Sequence, residues 1–190
     1  MKNIQWIVGA ILLLVIASCG GKPKKVLIMA SGKITVEGNM IKVEPGTRHN
    51  EELMIVQGDK ISVNYGSTTT EHTVTEPGLY LLNIKNDTLV GSYKRVGTEN
   101  KTTRVTQEEL QKNIDSLQQL MAGANVNATN RNFCIAPGKL TMITLNTEAQ
   151  IIGPYLKMPA SFEGGKEYEI YKFSTNKEIM EVVDKLKKLQ

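Results

Sequence analysis

The chain has few residues whose chemistry could define an active site. His49 and His72 are its only imidazoles, and no second histidine lies at the helix or strand spacing that lets one element hold a metal. Adjacent carboxylates, as in Glu51-Glu52 and Glu108-Glu109, diverge on any regular element, so we expect them on the solvated surface. The sequence therefore predicts no metal site and no catalytic residue, and it calls for no cofactor.

Ser174 and Lys177 have the spacing at which a lysine can activate a serine nucleophile from one helical turn away. This spacing resembles the Ser-x-x-Lys motif of penicillin-recognising enzymes, which also carry a Lys-Thr-Gly triad that the chain lacks. An amphipathic segment begins directly after Thr175. We therefore expect Ser174 and Thr175 to cap a helix, and we predict no such activity.

Cys134 lies between the apolar residues Phe133 and Ile135. Free cysteine usually behaves as a small buried hydrophobe, so we expect its thiol to be buried. A reactive thiol and an intermolecular disulfide are the alternatives.

The first nineteen residues have the pattern of an export signal. Lys2 is followed by the apolar run Ile7–Ala17 and then by the small residue Ser18 and by Cys19. An uncleaved membrane anchor would need about 20 apolar residues, more than this run supplies. The pattern resembles the lipobox of bacterial lipoproteins, whose cysteine is diacylated while the preceding peptide is removed. The resemblance implies lipidation at Cys19, a signal peptide over 1–18, a tether over 19–25 and one domain over 26–190.

The same resemblance implies a location. Gly20 is not the aspartate that retains proteobacterial lipoproteins in the inner membrane, and a basic segment follows Gly21 where surface-displayed Bacteroidota lipoproteins have an acidic one. We expect a protein anchored to the outer membrane and facing the periplasm. Retention in the inner membrane and surface display are the alternatives.

Asp87-Thr88-Leu89 resembles the Asp-Ser/Thr-apolar triplet on which Bacteroidota O-glycosylate exported proteins. The resemblance makes Thr88 a candidate O-glycosylation site. A turn explains the same residues, because Asn86 and Asp87 tolerate the positive backbone angles of a tight hairpin.

The net charge of +4 comes from the ends of the chain. Between Val26 and Asp184 the acidic residues outnumber the basic ones. The body therefore lacks the basic excess that nucleic-acid binding requires, and we expect no nucleic-acid partner.

Short apolar or alternating runs predict a β-rich body with two helices. We expect Pro45–Glu52 to be a polar connection between strands, and we expect Asn86-Asp87 to form the turn of a hairpin. Helices are predicted over Gln107–Ala122 and after Thr175, each preceded by a capping box. The predicted strands cover Val26–Met29, Ile34–Glu37, Met40–Val43, Leu53–Val56, Ile61–Tyr65, Gly78–Ile84, Thr88–Tyr93, Lys139–Leu145 and Tyr168–Phe173. The predicted fold class is α+β, mainly antiparallel β in a sandwich or partly open barrel, with two amphipathic helices.

The sequence thus predicts a lipid-anchored cell-envelope protein with a non-catalytic binding or structural role, held by the membrane at Cys19 and contacting an envelope protein. The alternative is an envelope hydrolase or transferase whose site forms only in the fold. A concave pocket in which groups such as His49 or His72 converge would favour that alternative.

Overall fold

The computed structural model describes residues 21–95, 106–124, 126–127, 129–153 and 169–189. It confirms the α+β class, with mostly β-strands in two mixed sheets and two helices. The strands are β1 (Lys24–Glu37), β2 (Met40–Ile55), β3 (Lys60–Tyr65), β4 (Thr68–Thr73), β5 (Gly78–Ile84), β6 (Leu89–Arg95), β7 (Asn132–Ile135), β8 (Leu140–Thr144), β9 (Gln150–Ile152) and β10 (Glu169–Thr175), and the helices are α1 (Gln107–Met121) and α2 (Asn176–Lys187). Within the described ranges no helix has the length and apolar character to cross a membrane.

The strands form a large and a small sheet. The large sheet has the order β4-β3-β2-β1-β5-β8 and the small sheet the order β7-β6-β10-β9. Most neighbouring strands are antiparallel, but β1 with β5, β2 with β3 and β9 with β10 are parallel. The large sheet curls until it is nearly barrel-shaped, so the protein combines features of both architectures that the sequence left open.

Three apolar cores hold these layers together. The first lies on the concave side of the large sheet and includes Val26, Ile28 and Leu82. The second, around Leu27, Leu81 and Phe173, joins the large sheet to the small one. The side chains of β1 and β5 enter both of these cores. The sequences of the two strands are therefore nearly continuous apolar runs.

The third core packs the helices against the outer face of the small sheet. Leu110 and Ile114 of α1 meet Ile179 and Val183 of α2 over Val90 of β6. Both predicted capping boxes are confirmed, Thr106 with Glu109 at α1 and Thr175 with Glu178 at α2.

Two expectations about strand pairing are wrong. Asn86-Asp87 does not form a hairpin turn, because β5 and β6 belong to different sheets and the chain crosses between them there. Both edges of β5 are already paired, one with β1 and the other with β8. Pro45–Glu52 is not a loop but lies within β2, and all of it except residues 46–48 pairs with β1.

The β1–β2 hairpin doubles over on itself. Its tip residue Asn39 donates from Nδ2 to the carbonyl oxygens of Gln57 and Lys60 and accepts at Oδ1 from the backbone N–H of Gln57. The N–H of neighbouring Val56 donates to the carbonyl of Lys24, where β1 begins. The tip of the hairpin and the start of β1 therefore lie at one end of the large sheet, which we call the base, and the bend lies at the other end, the apex.

His72 lies in the strand that brings the curled sheet toward closure. It is the most buried residue of β4, and its neighbour across the ladder is the core residue Ile61. Burial and, secondarily, the positive charge of Lys139 lower the pKa of His72 below 6.5. Lys139 directly precedes β8, so this electrostatic effect links the two edges of the large sheet.

Substitution of His72 should weaken the acid sensitivity of the fold. A folded-state pKa below the unfolded value means that protonation favours unfolding, so the stabilisation is complete above pH 6.5 and is lost as the pH falls toward the lowered value. Between pH 7.5 and pH 5, the free energy of unfolding from urea titrations should fall more for the wild type than for His72→Gln. His49 is present in both proteins and cancels in the comparison. Equal losses would contradict the pKa shift.

Candidate functional site

The apex is formed by a wide bulge in the β1–β2 ladder. Ser31 pairs with His49 but the next residue, Gly32, pairs with Pro45, so residues 46–48 of β2 leave the ladder. Bulges of this kind bend a strand and redirect its side chains, often beside a functional site. Here the bulge presents Thr47 and Arg48 beside the junction of the two sheets.

Two glycines permit this bulge. Gly32 has φ +126°, and a Cβ on it would overlap the carbonyl oxygen of Glu44 and come within 2.7 Å of the backbone nitrogen of Gly46. A Cβ on Gly46 would in turn lie 3.1 Å from the Cα of Gly32. The side-chain amide of Asn50 donates to the carbonyl of Gly32 and fixes the bend from the other side.

The second wall is the crossover from β5 to β6, which a buried asparagine holds in place. Asn83 is fully buried, and its Nδ2 donates to the carbonyls of Asp87 (2.9 Å) and Ile135 (2.8 Å). Its Oδ1 accepts from the backbone N–H of Lys85 at 3.0 Å. The backbone of Lys85–Asp87 is therefore fixed where the chain passes between the sheets.

The third wall is the start of α2. Asp87 accepts from the backbone N–H of Lys177 at Oδ2 (3.2 Å) and from that of Thr88 at Oδ1 (2.8 Å). The N–H of Asn176 donates to the carbonyl of Thr88 at 3.1 Å. These contacts connect the crossover to the first turn of the helix.

Together the three segments enclose a concavity at the apex, which we call the junction pocket. Its volume is about 730 Å³, within the size range of small-molecule sites. The lining residues are Ser31, Thr47, Arg48, His49, Lys85, Asn86, Asp87, Thr175 and Lys177.

Positive charge dominates the junction pocket. Arg48 and Lys177 are exposed at its rim, whereas Lys85 is only 7% exposed. Within the described residues, no hydrogen bond or ion pair involves the Lys85 Nζ. The lining has one carboxylate, that of Asp87, and both of its oxygens accept backbone N–H groups.

A histidine–glutamate pair adjoins the pocket, which His49 lines and Glu51 does not. The Nε2 of His49 and the Oε1 of Glu51 are 2.6 Å apart, with side chains 13% and 10% exposed. Glu51 also packs against Gly153, where a Cβ would overlap its carboxylate. The expectation that Glu51 lies on the solvated surface is therefore wrong, because alternation along β2 turns it inward while Glu52 faces solvent.

A second polar cluster joins the sheets toward the base. Glu169 accepts hydrogen bonds from the Tyr171 hydroxyl (2.5 Å), the Thr144 hydroxyl (3.1 Å) and the Asn146 amide (2.8 Å). Burial acts to raise the pKa of Glu169, but these bonds and the nearby Arg131 outweigh it, and the pKa lies below its ordinary value. Burial and the bond to Glu169 raise the pKa of Tyr171 to about 12. A carboxylate with this many donors fits a structural role between β8 and β10.

Ser174 and Lys177 do not converge. Lys177 lines the junction pocket, whereas Ser174 lines a groove between α2 and the small sheet. Thr175 between them caps α2. The Ser-x-x-Lys spacing therefore assembles no nucleophile with its base, and helix capping accounts for Thr175.

The prediction of a buried Cys134 is wrong, because its thiol is exposed. Cys134 pairs with Val90 across the β7–β6 ladder. The helices cover Val90 but leave edge strand β7 open at Cys134.

Two candidate modification sites stay predictions. Cys19 lies outside the described residues. Thr88 is half-buried in the crossover rather than in a hairpin turn, and its backbone is bonded to Asp87 and Asn176.

Sequence reasoning missed Arg48, Lys85 and Glu51, because two distant segments, β2 and the crossover after β5, bring them to the apex. The polar run Pro45–Glu52 between apolar strands was the available signal. Within the part of the chain that the structure describes, no three histidine, cysteine, aspartate or glutamate side chains form a group that could hold a metal ion. Comparisons with protein-family models, curated proteins and solved structures found no significant match.

Replacing Gly32 should destabilise the apex more than a matched glycine replacement elsewhere. Gly32→Ala adds a methyl group that collides with backbone as well as a strained φ, and we expect a loss of about 3 kcal/mol in the free energy of unfolding. Gly38 has φ +60° but open space where a Cβ would lie, so Gly38→Ala should cost only about 1 kcal/mol. Urea denaturation measures both, and equal losses would show that the close approach at Gly32 is unimportant.

Proposed function

We propose that this chain is a lipid-anchored cell-envelope protein that binds a ligand in the junction pocket without converting it. The observation that carries the binding role is the Lys85 ammonium, which lies in the pocket lining without a hydrogen-bonding or ionic partner among the described residues. An ammonium held at a pocket wall without a protein partner is available for a charge-assisted hydrogen bond to an anion. A ligand would supply that anion.

The arrangement of the other groups supports binding rather than catalysis. Both oxygens of Asp87 accept hydrogen bonds from the backbone, and Glu51 contacts the Nε2 of His49. A general base needs an available atom within hydrogen-bond reach of a nucleophile. Asp87, the one carboxylate of the lining, instead holds two of the walls together.

The lipid anchor is supported by the leader pattern and agrees with the geometry of the base. Strand β1 begins at Lys24, two residues earlier than the sequence predicted, so only residues 20–23 separate it from Cys19. At about 3.5 Å per residue, a lipid on Cys19 would lie within about 18 Å of the start of β1. The base would therefore face the membrane, and the proposed location is the periplasmic face of the outer membrane.

The base also has side chains suited to contact with lipid. Ile55 and Leu145 are each 63% exposed, Ile55 opposite Lys25 in the ladder and Leu145 beside the start of β5. Lys24 and Lys25 form ion pairs with Asp59 and Glu148. The contact that we propose is therefore apolar rather than an attraction of free lysines to anionic headgroups.

Lipidation is tested on the two cysteines of the chain. In bacteria that process lipoproteins, the mature protein should begin at Cys19, carry a diacylglyceryl thioether and incorporate a clickable palmitate analogue. Cys19→Ser should lose the label, whereas the matched control Cys134→Ser should keep it. Mass spectrometry that finds residues 1–18 still attached to an unmodified Cys19 would refute the anchor.

The orientation of the base is tested with tryptophan reporters in the lipidated protein. Trp6 is the only tryptophan of the chain and lies in the leader, so the mature protein has no background signal. Vesicles with brominated phospholipids should quench Ile55→Trp, whereas the apex control Lys33→Trp should stay bright, its site being 70% exposed beyond the bulge. Equal quenching of the two reporters would contradict this orientation.

A further inference from the structure

Lys85 is the most buried of the cationic residues that line the junction pocket, at 7% exposure, and its Nζ is not among the fully buried atoms. It follows the last residue of β5, and the Asn83 side chain holds its backbone N–H. Its side chain has no ion-pair partner among the described residues, and the only carboxylate of the lining, Asp87, lies beyond ion-pair distance. The stem of Lys85 is packed in the crossover, and its ammonium remains available at the pocket wall. An available ammonium beside two further cations favours an anionic ligand.

The surrounding groups specify what kind of anion. Arg48 and Lys177 add two further cations from opposite walls, and the Ser31 and Thr47 hydroxyls and the Asn86 amide add neutral hydrogen-bonding groups. Three cations and several donors suit an oxyanion with more than one charge better than a single carboxylate. A guanidinium with two parallel N–H groups, as on Arg48, matches phosphate oxygens in particular.

The size and place of the pocket restrict the ligand further. At about 730 Å³ the pocket is in the range that holds small organic molecules, so it has room for more than an ion. Along β1 the apex residue Ser31 lies seven residues from Lys24, or about 23 Å at 3.3 Å per residue. If the base faces the membrane, the pocket faces away from it, toward dissolved ligands.

We propose that the junction pocket binds the phosphate group of a soluble phosphorylated compound, with Lys85 as the cation of the pocket wall and Arg48 and Lys177 at the rim. This inference rests on the proposed binding function. It adds the ligand class and names the residues that would recognise it.

Calorimetric titration of the full lipidated chain in detergent tests the proposal at constant ionic strength. The probes are glucose 6-phosphate and inorganic phosphate, with acetate as the monocarboxylate. Lys85→Met removes the charge at the pocket wall, and Lys112→Met removes an exposed lysine of α1 as the matched control. Arg48→Gln, at an exposed bulge position, tests the rim with little effect on the core.

We expect both phosphate probes to bind and acetate not to. Lys85→Met should weaken binding at least about tenfold, the size expected for losing a charge-assisted hydrogen bond. Its melting temperature should stay equal, because methionine preserves the packed stem and the ammonium has no partner among the described residues to lose. A purely structural lysine would instead give a lower melting temperature. Arg48→Gln should weaken binding and Lys112→Met should leave it unchanged.

Three results would overturn the proposal. One is equal heats for acetate and phosphate, another is equal phosphate affinity in the wild type and Lys85→Met, and the third is Lys85-dependent binding to phosphatidic acid vesicles without binding of glucose 6-phosphate. The first two would leave lipidation at Cys19 standing, since mass spectrometry reads that separately. Release of inorganic phosphate from glucose 6-phosphate would instead refute the non-catalytic function while supporting the ligand class.

Discussion

The close contact between the backbones of Gly32 and Gly46 is the constraint on which the rest of the structure depends. Because neither residue has a Cβ, the two strands approach closely enough for residues 46–48 of β2 to leave the ladder. The hairpin then doubles over, and Asn39 at its tip returns to Gln57 and Lys60. Without this bend, β1 and β2 would form a flat extended hairpin whose apolar residues had no interior to enter.

The bend also determines where the second sheet can pack. Curling encloses one face of β1 and β5 in the first core and leaves their other face for the small sheet. The crossover after β5 must then pass from one sheet to the other at the apex, where the buried side chain of Asn83 satisfies its backbone. The bulge within β2, the crossover after β5 and the start of α2 after β10 of the small sheet meet there, where the two sheets adjoin.

The sequence predicted best what depends on neighbouring residues. The two capping boxes and the helices behind them follow from patterns within one or two turns, and both are present. The partner of β6 could not be predicted in that way, because Asn86-Asp87 suits a tight turn whether or not the flanking strands pair. Strand β6 cannot pair with β5, because β1 and β8 already occupy both edges of β5.

The candidate site was beyond prediction for a related reason. Lys85 follows an apolar strand and reads as an ordinary solvated lysine until the bulge of β2 and the start of α2 close around it. Glu51 lies within a polar run of β2, so the sequence gives no sign that it is buried. The fold nevertheless buries it beside His49.

Charge is arranged differently at the two ends of the large sheet, and this difference supports a division of roles. At the base, Lys24 and Lys25 have carboxylate partners, and exposed apolar side chains lie beside them. At the apex, a lysine that is more deeply buried than either has no such partner within the described chain. The ion pairs at the base occupy Lys24 and Lys25 within the protein, whereas the ammonium of Lys85 is left available at the pocket wall. This difference agrees with the proposed binding of an anion at the apex.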